Sequence, residues 1–206
     1  MSWHDAPGTA VVTGASSGIG WEYATRLAAR GWGLVLVARR AERLDVLAKE
    51  ALKEGAAGVE TLVADLGGPE DLSRVVERAA GDDIDLVVNN AGINGYGPLS
   101  EVDAGLLTRV LNVNVVALTA LTRAAVPGMP ARGRGAVSNV ASLPAFAGGL
   151  PPDPLPRRAV YAGSKGYAVT FTRTPAAELA GTPLRCRSSA PGSRRPSSTS
   201  APGTPR

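Results

Sequence analysis

Short apolar, β-branched runs alternate along the chain with longer stretches whose apolar residues return every three or four positions. Residues 10–13, 34–37, 59–63, 84–88 and 136–140 read as five short strands. The helical period covers residues 18–30, 41–54, a stretch opening near Pro69, 103–125 and 159–180. Strand–helix alternation with near-continuous apolar strands predicts an α/β fold in three layers, a doubly wound parallel sheet with helices on both faces. No internal repeat interrupts it.

Two stretches depart from this rhythm. Residues 150–156 (Leu-Pro-Pro-Asp-Pro-Leu-Pro) fit neither a helix nor a central strand, because successive prolines remove donors and fix φ; a surface loop is expected. After Leu184 the apolar pattern dissolves. Where a sixth strand is expected, residues 185–190 read Arg-Cys-Arg-Ser-Ser-Ala, so the C-terminal strand region is expected to be incomplete. Residues 188–206 are rich in Ser, Pro and Arg with almost nothing large to bury, a composition that predicts disorder. The division is one domain over 1–187 and a tail over 188–206.

Composition narrows the chemistry. With one cysteine (Cys186) and one histidine (His4), intramolecular disulfides, a histidine-based triad and a His-rich metal site are excluded. The pI of about 9.6 is local in origin: five arginines and no acid follow Gly181, and the rest is nearly neutral. No basic face with interleaved aromatics is present, so no nucleic-acid partner is expected. No opening signal-like segment and no bilayer-length apolar run are read, so a cytoplasmic chain without membrane contact is expected.

The first predicted strand runs into Thr13-Gly-Ala-Ser-Ser-Gly-Ile-Gly20 and then a helix. Gly14 suits the tight turn, and Gly18 and Gly20 let a pyrophosphate approach the backbone at the helix N-terminus. The second strand ends in Ala38-Arg39-Arg40. A carboxylate there would favour a ribose 2′-hydroxyl; two guanidiniums favour a 2′-phosphate instead. The cofactor expectation is therefore NADP, with NAD as the alternative, and Arg39 is the first choice of contact.

Tyr161 and Lys165 stand one helical turn apart. A phenol titrates near pH ~10, and a neighbouring ammonium favours its ionised form, so the spacing suits proton transfer at neutral pH. Together with Asp65-Leu66, Asn89-Asn90-Ala91-Gly92, Asn114, Ser142 and Pro191-Gly192, these motifs make the chain resemble the short-chain dehydrogenase/reductase family in its single-domain Rossmann form. The resemblance implies Tyr161 as acid/base, Ser142 as a donor to the substrate oxygen, Lys165 on the nicotinamide ribose and Asn114 on a proton-relay water. It implies Gly14, Ser16, Ser17, Gly18, Ile19 and Gly20 at the phosphates. Asp65 and Leu66 would meet the adenine, Asn90, Ala91 and Gly92 the adjacent ribose, and Pro191-Gly192 the nicotinamide. The substrate would be a small-molecule carbonyl or alcohol.

The chain departs from that family in three places. Ser142 and Tyr161 lie nineteen positions apart, a long connection. Pro175 sits inside the helix of Tyr161 and Lys165, where family members commonly pair, so a homo-oligomer would be weakened there and by the altered C-terminus. The third departure is that C-terminus itself, which fits a changed reading frame. The rival expectation is a catalytically impaired nucleotide-binding protein; a nicotinamide-using epimerase or dehydratase would use the same residues.

Overall fold

Six strands form one parallel sheet: β1 (Thr9–Thr13), β2 (Gly33–Ala38), β3 (Gly58–Val63), β4 (Ile84–Asn89), β5 (Ala136–Val140) and β6 (Arg185–Ser189), ordered β3-β2-β1-β4-β5-β6. The computed structural model describes residues 7–146, 157–182 and 184–189. The proline-rich 150–156 segment, Pro191-Gly192 and the tail from 190 lie outside the described residues.

Strand alternation divides the core. Val12, Leu34, Leu36 and Leu86 face α1 (Gly18–Ala28) and α2 (Ala41–Glu54). Val11, Val35, Val37, Val87 and Val137 join the opposite core with Val75 of α3 (Pro69–Ala79) and Leu121 of α5 (Leu118–Ala125). Burial on both faces explains why these strands are continuously apolar. α3 opens on Pro69, where a missing N–H costs nothing, and α2 stops at Gly55 with φ 109°, a conformation other residues avoid.

The helix expected over 103–125 is longer and irregular. α4 (Ala104–Leu111) is capped by Asp103, whose carboxylate accepts the Leu106 N–H at 2.8 Å. A wider π turn, Asn112–Ala117, carries the chain into α5, and a short α6 (Gly128–Arg132) follows. Contrary to the sequence expectation, the run Ala104–Pro130 is long and apolar enough by length and composition to cross a membrane. Its buried residues Val110, Val113, Ala117, Leu121 and Ala125 repeat at helical spacing, and α5 packs against β4 and β5. α7 (Ala159–Glu178) continues through Pro175, which lies well past Lys165.

A further correction concerns β6. The strand that the arginines argued against exists, in register with β5 from Ala136↔Arg185 to Val140↔Ser189. Ser188 and Ser189 therefore belong to the sheet, not to the tail. Backbone pairing to one neighbour holds an edge strand, so its outward residues need not be apolar. Only one side carries burial, with Leu184 and Cys186 against the α7 side.

Candidate active site

The sheet order reverses between β1 and β4, and the crevice at their carboxyl ends is where a doubly wound sheet binds ligands. A cleft of about 480 Å³ opens there. The glycine turn forms one wall through Gly14, Ser16, Ser17 and Ile19. Arg39 and Arg40 follow β2, Asp65 and Leu66 follow β3, and Asn90, Ala91 and Gly92 follow β4. Four loops distant in sequence thus meet at one cleft; of the turn's glycines, Gly18 and Gly20 stand outside this lining.

Gly14 and Gly18 adopt φ of 65° and 57°, the left-handed region that glycine enters without strain. At Gly20 a Cβ would lie 2.5 Å from Asn90 Nδ2 and also strike the Gly14 carbonyl. Only glycine lets α1 start this close to the end of β4. The Asn90 amide donates to the Thr13 and Gly14 carbonyls at 2.9 and 3.2 Å, while the Thr13 hydroxyl accepts the Asn90 and Ala91 N–H groups, each at 3.0 Å. Ser17 precedes α1 without a capping side-chain bond. The leading N–H groups of α1 are thereby left to an anion, so the turn fits a bound pyrophosphate.

Of the two arginines after β2, Arg40 is the one joined to this turn. Its guanidinium donates to Ser16 Oγ at 2.8 Å and to Ser17 Oγ at 2.9 Å. Arg43 donates to the Ser16 carbonyl at 3.2 Å and lies over the Trp21 ring. Arg39 lines the cleft and is exposed. Asp65 accepts from Arg109 at 2.5 Å and from the Gly67 N–H at 3.0 Å, so its carboxylate is already engaged at the cleft wall.

Beyond the cleft, Asn114 sits in the π turn, 1% exposed. Its side-chain oxygen accepts the Ile93 N–H, and its nitrogen donates to the Ile93 carbonyl, both at 2.9 Å. The same nitrogen donates to Ser164 Oγ at 3.0 Å, and Ser164 donates to the Tyr161 carbonyl at 2.7 Å. Lys165 is buried and donates to the Val140 carbonyl at 2.8 Å. Burial lowers its pKa from 10.5 to about 8. A Cβ on Gly92 would stand 3.2 Å from Lys165 Nζ and 3.3 Å from Asn114 Oδ1, so that glycine marks where the two polar groups converge.

Tyr161 is half-buried, with the Tyr96 ring edge-on at 5.7 Å between centroids. Ser142 follows β5 just before the 3-10 turn Leu143–Phe146. Among the described residues no hydrogen bond joins its hydroxyl to that of Tyr161, and the Lys165 ammonium bonds to backbone, not to the phenol. Asn114 and Lys165 are brought together beside Gly92, and Ser142 and Tyr161 come from neighbouring elements.

Sequence reasoning passed over several supports. Arg43 continues the arginine pattern after β2 and could have been found from it. A buried relay ties the strands under the site: Asn89 Nδ2 donates to Asn139 Oδ1 at 2.8 Å and Asn139 Nδ2 to Thr172 Oγ1 at 2.9 Å. Polar residues inside apolar strands were its one signal. Tyr96, in a loop whose Gly97 N–H donates to the Arg157 carbonyl at 2.9 Å, had none.

The chain is similar in sequence and in fold to known proteins. The profile of a family described as short chain dehydrogenase matches residues 8–201. A very-long-chain 3-oxoacyl-CoA reductase of Anas platyrhynchos is 35% identical over 169 residues, 80% of this chain and 52% of that protein. An inactive hydroxysteroid dehydrogenase-like protein 1 of Homo sapiens is 32% identical over 167 residues, 80% of this chain and 49% of that protein. This chain spans about half the length of these curated relatives. Among solved structures, a short-chain dehydrogenase from Sphingobium yanoikuyae in complex with NADPH superposes with a TM-score of 0.83 at 35% identity, covering 90% of this chain and 70% of that one.

Proposed function

The chain belongs to the short-chain dehydrogenase family, and from that premise we propose that it is an NADP(H)-dependent oxidoreductase interconverting a small-molecule carbonyl and its alcohol. The convergence of Lys165 and Asn114 on Gly92, at the inner end of a cleft lined by the glycine turn, carries this reading. Arg40, held by Ser16 and Ser17, and Arg39 offer a 2′-phosphate two guanidiniums and no opposing carboxylate from the end of β2. The Sphingobium yanoikuyae relative, described with NADPH, supports the same choice.

When bound, the nicotinamide supplies hydride chemistry; the protein's part is orientation and a proton. Negative charge developing on the carbonyl oxygen is met by the hydroxyls of Ser142 and Tyr161, and Tyr161 neutralises it by giving up its proton. Lys165, buried beside Gly92 and Asn114, would hold the nicotinamide ribose when the cofactor is bound. Asn114, fixed at Ile93 and Ser164, holds that region in shape. In the reverse direction Tyr161 takes the proton back.

A second reading, a nucleotide-binding protein with impaired catalysis, is supported by similarity to a relative described as inactive. Oxidation of NADPH over a panel of ketones and aldehydes separates the two. Turnover that disappears in Tyr161→Phe supports the oxidoreductase. Saturable NADPH binding with no turnover on any carbonyl supports the impaired form.

A further inference from the structure

Tyr96 stands between two glycines that its loop requires. Gly97 adopts φ 145°, and a Cβ there would lie 2.8 Å from Val102 Cγ2. A Cβ on Gly95 would lie 3.2 Å from Cγ2 of Val110, a buried residue of α4. Gly-Tyr-Gly thus lets the backbone pass close to α4 and continue toward α7. The loop is tied at both ends. Asn114 holds both backbone groups of Ile93, and the Gly97 N–H donates to the Arg157 carbonyl at 2.9 Å, just ahead of α7. α7 starts at Ala159 without a side-chain cap, and Tyr161 lies in its first turn. Residues 93–97 therefore form a strap from the cleft wall at Gly92 to the start of the helix that carries Tyr161.

Within this strap the Tyr96 ring meets the Tyr161 ring, with centroids 5.7 Å apart and planes at 77°. This is the edge-to-face arrangement that ring quadrupoles prefer, and it is directional: turning either ring away loses it. Such a pair favours the paired orientation over an unpaired one by roughly 2- to 12-fold. Ser164 donates to the Tyr161 carbonyl and so fixes the backbone of that turn. The ring contact acts on the side chain itself.

We propose that Tyr96 is a positioning residue for the reaction, holding the Tyr161 phenol by ring contact in the direction from which its proton reaches the carbonyl oxygen. The inference rests on the reading of Tyr161 as the acid/base. The Tyr96 hydroxyl has no part in it; the ring does. Tyr96 is not among the residues lining the cofactor cleft, so its loss acts on proton transfer and not on cofactor affinity.

The test uses the full chain with NADPH and the ketone or aldehyde that the parent turns over fastest. Tyr96→Leu and Tyr96→Ala are expected to lower kcat by about tenfold, with KM for the carbonyl and NADPH affinity within about threefold of the parent. The solvent deuterium isotope effect on kcat is expected to exceed the parent's, because a misdirected phenol makes proton transfer slower. Tyr96→Phe, which keeps the ring, is expected to retain the parent's kcat to within about twofold and its isotope effect. A kcat in Tyr96→Leu within twofold of the parent overturns the proposal. So does a loss in Tyr96→Phe as large as in Tyr96→Leu, or a loss matched by equal weakening of NADPH binding. Tyr161→Phe separates the two readings: turnover that it abolishes but Tyr96→Leu leaves unchanged overturns this proposal alone, whereas turnover that it retains removes the acid/base reading and this proposal together. Nitration of Tyr161 by tetranitromethane, mapped by mass spectrometry, reads the contact without any turnover. It is expected to be several-fold faster in Tyr96→Leu than in the parent or Tyr96→Phe, and equal rates overturn the proposal. Urea midpoints of each variant establish folding, and Tyr96→Leu carries the test should Tyr96→Ala not fold.

Discussion

Asn114 grips Ile93 from both sides, its side-chain oxygen on the N–H and its nitrogen on the carbonyl, each at 2.9 Å. One side chain thus satisfies both polar groups of a residue in the loop after β4, and it does so from a turn wider than an α-helix. The π turn is therefore a positioning device: it directs Asn114 at the backbone beside Gly92. Asn114→Leu keeps the volume but orphans these groups. A loss of about 2–3 kcal/mol is expected in urea denaturation. A change below ~0.5 kcal/mol would show that water replaces the amide without cost.

Tyr161→Phe removes only the hydroxyl. If Tyr161 transfers the proton, turnover falls by about 10²–10⁴, and NADPH affinity stays within a few-fold. Stopped-flow oxidation and fluorescence titration of NADPH measure the two separately. Turnover retained to within tenfold would remove Tyr161 from the role.

Arg40→Ala addresses the cofactor. Losing a charge-assisted contact of about 1.5–3 kcal/mol weakens NADPH by about 10- to 150-fold and leaves NADH nearly unchanged. Isothermal titration with both nucleotides checks it. Equal losses for both would mean that Arg40 serves the glycine turn through Ser16 and not the 2′-phosphate.

The buried Lys165 makes stability depend on pH. Its pKa is about 8 in the folded chain and near 10.5 when solvated, so between these values the unfolded chain binds more protons and stability rises with pH. The rise is about 3 kcal/mol as an upper bound. Lys165→Met should flatten it relative to the parent between pH 7.5 and 10, with urea midpoints as the readout. Parallel pH dependences in the two proteins would contradict the burial cost.

Gly20→Ala places a methyl against Asn90 Nδ2 and the Gly14 carbonyl. Overpacking of about 1–3 kcal/mol is expected, with weakened NADPH binding because the turn must shift. Thermal melts with and without NADPH measure both effects.

Much of this was legible in the chain. Continuous apolar strands and a glycine turn between strand and helix fixed five strands and the place of the cleft, because burial on two faces and positive φ leave strong marks on residue type. β6 was not legible: its stability comes from backbone pairing with β5, while Arg185 and Arg187 face outward and carry no apolar signal. The same limit applies to the π turn, whose extra backbone residue leaves no mark on a helical periodicity. Arg40 rather than Arg39 at Ser16 depends on where β2 ends and α2 begins, a one-residue matter beyond periodicity. The Lys165 contact with the Val140 carbonyl was likewise hidden, since a lysine one turn from a tyrosine reads the same whether its amine faces the phenol or the sheet.

Arg185 and Arg187 also guard the sheet against its own kind. Among the described residues β6 has a partner only in β5, so its other backbone edge could template a strand from another molecule. Two guanidiniums on five residues make such stacking of like chains electrostatically costly. Neutral β-branched residues at both positions would leave the edge pattern intact and remove that repulsion, turning an orderly margin into a seed for insoluble assemblies.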